Sequence, residues 1–156
     1  MKICCFTGHR SLSPAVATAL AHAIDRRLLS MVEEGFTEFR PGGALGFDTV
    51  AALRILALRE RYPQCRLHLI LPCPDQHKYW NAGQKALYEE ILSKADSVRY
   101  VRAVYTPDCM HARNRALLSG ADACIAYLTH NSGGTLYTAK EALRTGVPLI
   151  NLADEI

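Results

Sequence analysis

The chain has no Cys-x-x-Cys pair, only one tryptophan, and no uncharged apolar run near the ~20 residues that a membrane span needs. Its six cysteines, Cys4, Cys5, Cys65, Cys73, Cys109 and Cys124, have no histidine partners at zinc-ligand spacing, so no metal is expected. Met1–Phe6 is largely apolar, but Thr7-Gly8-His9-Arg10 ends the run too early for a signal peptide. The expected compartment is therefore a reducing cytoplasm, with no membrane partner. No internal repeat or linker divides the 156 residues, which is the length of one domain, 1–156. A charge imbalance is lacking too. Eighteen Lys and Arg against fifteen Asp and Glu leave +3, short of the basic footprint of an ordinary nucleic-acid binder. Thirteen of the eighteen cations are arginine, the residue suited to bidentate phosphate or carboxylate binding.

What is present is alternation. Short apolar runs at 2–7, 37–40, 66–71, 97–101, 123–128 and 148–152 are expected strands. Between them, 14–34, 47–62, 84–95, 110–119 and 135–145 are expected helices. In the first, Val16, Leu20, Ile24, Leu28 and Val32 recur every four residues. Strands alternating with helices imply an α/β fold, a three-layer, doubly wound parallel sheet. The simplest strand order is 3-2-1-4-5-6, which puts a ligand crevice between strands one and four.

Four loops at the expected strand ends carry chemistry. Thr7-Gly8-His9-Arg10 joins a permissive glycine to a cation ahead of a helix start, a natural anion site. Gly42-Gly43-Ala44-Leu45-Gly46-Phe47-Asp48 lacks the G-x-G-x-x-G dinucleotide fingerprint but keeps its logic of backbone N–H groups around a phosphate. Asp48 either caps the helix or holds a ribose hydroxyl. Arg113 and Asn114 lie early in a short helix, where an arginine can reach back into the crevice. Ser132-Gly133-Gly134-Thr135 is a second Gly-Gly cradle, with Thr135 as cap. Between strand three and the next helix, Gln76 and Trp80 are candidates for contact with a base, or Trp80 is a hydrophobic plug.

FTGHR at 6–10, GGALGFD at 42–48, the loop with Trp80, MHARNR at 110–115 and SGGTLYTAKEA at 132–142 together resemble the YpsA-like family of the SLOG superfamily. That resemblance implies a Rossmann-like domain binding a nucleotide or nucleotide-derived ligand; separately, apolar helix faces allow a homodimer. The superfamily includes cytokinin-activating phosphoribohydrolases and the DNA-processing protein A family. Arg113 and Gly134-Thr135 match parts of the phosphoribohydrolase motifs. Asn114 replaces their lysine, however, and the catalytic glutamate has no match near Tyr137 and Thr138. Asp48 and Arg113 are the remaining catalytic candidates for cleaving an N-glycosidic bond. The DNA-processing branch is matched by Gly134–Ala139. It implies a single-stranded nucleic-acid partner, held by Arg10, Arg40, Arg113 and Arg115 if these share a side.

Overall fold

The protein is described by a computed structural model covering residues 1–129 and 134–156, with side chains of all of these except 134 and 135. The strands are β1 (Lys2–Gly8), β2 (Phe36–Arg40), β3 (Arg66–Leu71), β4 (Ser97–Tyr100), β5 (Ala123–Tyr127) and β6 (Leu149–Asn151). The helices are α1 (Pro14–Glu33), α2 (Phe47–Arg61), α3 (Ala82–Lys94), α4 (Cys109–Leu118) and α5 (Gly134–Thr145), followed by a 3-10 turn at Leu152–Asp154.

Local chemistry explains the helix boundaries. Ser13 Oγ accepts from Val16 N at 3.2 Å and Pro14 occupies the first turn, so α1 starts where its first N–H groups find partners. Its buried residues are Leu20, Ala23, Ile24, Leu28 and Met31, a stripe of i+3 and i+4 steps. The third helix starts two residues earlier than the sequence suggested. Asn81 and Gln84 form a reciprocal capping box that captures Ala82 and Gly83 into the first turn.

All six strands are parallel, and their order is β4-β3-β2-β1-β5-β6. The α/β fold class is as expected, but one strand sits elsewhere. The expected order put the fourth strand against β1. Instead β4 lies outermost beside β3, and β5 pairs with β1 from Cys4↔Ala123 to Gly8↔Tyr127. Burial gives the reason. A strand beside β1 is covered on both faces, and Ala-Cys-Ile-Ala-Tyr of β5 is buried at every position. Ser-Val-Arg-Tyr of β4 is exposed at every position, a composition that belongs on an edge. The crossover point of the winding therefore lies between β1 and β5.

Successive side chains of β1 point to opposite faces. Cys4 and Phe6 join the larger core with Ile24 and Leu28 of α1, Phe47 and Ile55 of α2, and Tyr88 and Ile91 of α3. Cys5 joins a smaller core on the other face with Leu117, Leu118, Cys124 and Ala142 from α4, β5 and α5. Thus α1–α3 cover one face and α4–α5 the other. The loops after β1, β2, β3 and β5 gather at one edge of the sheet.

Candidate functional site

The loop after β1 is tied to two others by its backbone and imidazole. His9 O accepts Phe47 N at 3.1 Å, and His9 Nε2 accepts Thr129 N at 2.8 Å. Thr7 and His9 are buried. Gly8 has no room for a side chain, because a Cβ would strike the ring of Phe47. At Gly46, φ is +75° and a Cβ would meet the backbone of Arg10 and His9. These glycines let the loops after β1 and β2 pack directly on one another.

The loop after β2 is closed by the protein's own side chains. Arg113 Nη1 donates to Gly42 O. A Cβ on Gly42 would lie 2.8 Å from Arg113 Nη1 and 3.0 Å from Asp48 Oδ2, so the guanidinium and carboxylate meet across this glycine. Gly43 sits over Leu71 at φ +71°, and its carbonyl accepts Gln76 Nε2 at 3.2 Å. Asp48 does not cap α2. The cap is Gly46, without a side-chain hydrogen bond, and Asp48 lies in the first turn with Oδ2 accepting Ala44 N at 3.2 Å.

Charge at this edge is concentrated and buried. Arg113 is 4% exposed and Asp48 5% exposed. Arg113 Nε donates to Asn114 Oδ1 at 2.7 Å, and the thioether of Met110 accepts from Arg10 Nη2 at 3.4 Å and lies 4.0 Å from Arg113 Nη2. Burial pushes the Arg113 guanidinium below its ordinary range; Asp48 opposes this and the Arg10 charge adds to it. Burial also lifts the Asp48 carboxyl to about 6, against the pull of Arg113, the Ala44 N–H and Arg10. Its second oxygen, Oδ1, is buried with no hydrogen-bond partner among the described residues. Two guanidinium groups therefore act on one carboxylate through their charge, and that carboxylate has an oxygen without a hydrogen-bond partner among the described residues.

Arg10, Gly43, Gly46, Asp48, Trp80 and Tyr88 contribute to the wall of a cavity of about 410 Å³ between the β1–α1 and β2–α2 loops, α2 and α3. That is within the usual range for small-molecule sites. Trp80 packs against the larger core, edge-on to Tyr88 at 5.1 Å between ring centres. Gln76 bridges Gly43 O and the Tyr88 hydroxyl, the latter at 3.0 Å. Both residues are thus part of the support of the loop.

The arginines suggested for one basic pocket do not all converge. Arg40 Nη2 donates to Leu117 O at 2.5 Å and Ser119 O at 2.8 Å, closing the C-terminal end of α4. Arg115 stands two residues from Arg113 on α4, hence on another face, and donates to the Tyr137 hydroxyl at 3.0 Å. Arg10 and Arg113 remain together. Ser132 and Gly133 lie outside the described residues, and so do the side-chain surroundings of Gly134 and Thr135; Gly134 begins α5. Among the described residues, no three His, Cys, Asp or Glu side chains form a metal-sized group, and no helix is long and apolar enough to cross a membrane.

Sequence reasoning missed Met110 and Phe47. Neither has a chemical signature in sequence: one is a thioether between two arginines, the other a ring filling the space that Gly8 leaves.

The sequence model of the YspA SLOG family matches residues 4–146. A UPF0398 protein of Bacillus pumilus is 32% identical over 153 residues, covering 91% of this chain and 82% of its own. Among solved structures, DNA processing protein A from Helicobacter pylori, described by its single-stranded DNA binding mode, has a TM-score of 0.65 at 20% identity over 95% of this chain. DprA from Streptococcus pneumoniae has a TM-score of 0.65 at 17% identity, also over 95% of this chain. This chain spans only 63% and 49% of those two proteins, and at such identities the likeness is one of fold.

Proposed function

This chain belongs to the YspA SLOG family, and from that premise we propose that it binds a nucleotide or nucleotide-derived ligand at the edge where the β1, β2 and β5 loops meet. The observation that carries this reading is the uneven charge around Asp48. Arg10 and Arg113 both act on one carboxylate, leaving net positive charge that suits an anionic group. The unpartnered Asp48 Oδ1 supplies an acceptor for a sugar hydroxyl. Exposed Arg10 makes direct contact with phosphate, and buried Arg113 adds charge from behind. Thr7–Arg10, Gly42–Gly46 and Asn114 belong to the remainder of the proposed site. Six free, buried cysteines fit a reducing compartment, the cytoplasm.

The test is a thermal-shift panel of adenosine phosphates, ADP-ribose and NAD. A ligand at 100 times its dissociation constant adds about 2.7 kcal/mol to stability. Arg10→Ala, which changes an exposed side chain, should remove most of that shift while leaving the unliganded protein folded. An unchanged shift would refute the phosphate assignment.

The Asp48 carboxyl also favours a second reading, hydrolysis of the ligand's N-glycosidic bond. A carboxyl that titrates at about 6 is suited to proton transfer near neutrality. Free base appearing with wild type but not with Asp48→Asn supports it; no product from any bound nucleotide removes it. Single-stranded DNA belongs in the same panel because of the DNA processing protein A fold likeness. Binding through phosphates would weaken steeply with added salt.

A further inference from the structure

The loops after β3 and β4 put two aromatic side chains into solvent. Tyr79 is 90% exposed and Tyr105 is 64% exposed, with Val104 beside the latter at 67%. Tyr79 follows directly on Lys78, whose ammonium lies 5.5 Å from the tyrosine ring centre. Large aromatic rings tend to bury much of their surface. Trp80, next in sequence, does so: it turns inward onto Tyr88 and the larger core. The neighbouring Tyr79 turns outward.

The two tyrosines line one cavity of about 390 Å³ together with Asp75, Gln76, Lys78 and Met110. Met110 is the connection to the charged edge. Its thioether is the group that accepts from Arg10 and approaches Arg113. The cavity thus adjoins the two guanidinium groups and offers aromatic faces, a cation and a carboxylate within one opening.

We propose that this cavity is a base-stacking subsite, in which the ring of a nucleoside phosphate lies against Tyr79 and Tyr105 while its phosphate lies at Arg10. The proposal rests on the nucleotide-binding reading and deepens it, moving the base contact from Trp80 and Gln76 to Tyr79 and Tyr105. Stacking on aromatic side chains tolerates any base, since every base has a π face. The chemistry fits a free nucleotide and one unit of a single strand alike. Lys78 adds attraction for the phosphate side of either.

The experiment compares adenosine 5′-monophosphate, ribose 5-phosphate and a ten-nucleotide oligothymidylate by titration calorimetry, on wild type, Tyr79→Ala, Tyr105→Ala, the corresponding Phe variants and Arg10→Ala. Adenosine monophosphate should bind wild type at least tenfold more tightly than ribose 5-phosphate. Each Ala variant should lose roughly ten- to a hundredfold toward adenosine monophosphate, the value of one stacked base, and little toward ribose 5-phosphate. The Phe variants should retain the preference, because they keep the ring. Tighter binding of the oligothymidylate than of the mononucleotide, lost in the same Ala variants, would identify a strand as the source of the base. Equal affinity for the mononucleotide and ribose 5-phosphate, or a preference untouched by the Ala variants, overturns the subsite and leaves the Arg10 assignment standing. Absence of binding to every probe overturns both.

Discussion

Two carboxylates of nearly equal burial lie within ten residues of each other and behave in opposite ways. Glu38, in the middle of β2, is 7% exposed, and Asp48, in the first turn of α2, is 5% exposed. Glu38 is fully engaged: Thr37 Oγ1 donates to Oε2, and His68 Nε2 lies 2.9 Å from Oε1, while His68 Nδ1 is 2.6 Å from Ser97 Oγ. Burial pushes the Glu38 carboxyl up, but the Thr37 and His68 hydrogen bonds, with the charges of His68 and Arg66, bring it below its ordinary value. Asp48 has two cations nearby but one oxygen without a partner, and burial prevails, lifting it to about 6. Burial alone is therefore a poor guide to function. A buried carboxylate with its acceptors filled knits strands β2, β3 and β4 together; one with an acceptor left over is the one we propose for a ligand.

The contrast can be broken most strongly through Arg113. Arg113→Ala removes a buried side chain, the guanidinium charge near Asp48 and the donor to Gly42 O, and should destabilise the fold by about 2–5 kcal/mol in urea unfolding. A change below about 1 kcal/mol would mean that the two groups are not coupled.

The pH response is next. Folded Asp48 retains its proton to about 6, against an ordinary 3.8, so between those values the folded state binds more protons than the unfolded state. Stability from this group therefore falls as pH rises across that window, by roughly 3 kcal/mol in all, and falls no further above it. Glu38 has the opposite sign. Its contribution is present above its unfolded value and is lost as pH falls through its lowered folded value. Asp48→Asn should abolish the decline between about pH 4 and 6 in a denaturation series; an unaltered slope would assign it to another group.

Glu38→Gln should cost about 1.5–3 kcal/mol at neutral pH, the worth of hydrogen bonds to a charged group. Asp48→Asn at the same pH should be neutral or stabilising in the absence of ligand. Equal destabilisation by the two amides would erase the distinction between a structural and a ligand-ready carboxylate. The smallest effect belongs to the exposed rings. Tyr79→Ala and Tyr105→Ala should alter unfolding free energies by no more than about 0.5 kcal/mol, so that their influence appears in binding alone.

Much of this architecture was legible in the chain. Arg66–Leu71 is both the expected and the observed third strand, and the remaining elements differ by a residue or two at their ends. The loops after β1 and β2 and the α4 residues Arg113 and Asn114 do meet at one edge, tied by His9 to Phe47 and by Arg113 to Gly42. The place of β4 departs from the simplest winding because its own composition suits an edge. Ser97 and Arg99 already argued for an edge, while Ala123–Tyr127 argued for the centre. The glycines suit a phosphate cradle by sequence; the structure adds that Phe47, Leu71 and Arg113 lie where side chains at Gly8, Gly43 and Gly42 would be.

The chain alone determined what depends on neighbours a few residues away: the helical stripe of α1, the caps at Ser13 and Asn81, and the apolar runs that become strands. These follow from backbone periodicity and from hydrogen bonds over three or four residues. Tertiary structure alone decided which strand joined β1, which ring filled the space at Gly8, and that Arg113 would reach Gly42 across 71 residues of sequence. Such contacts arise when elements compete for the same buried volume, and the winner depends on the shape and charge of all of them together.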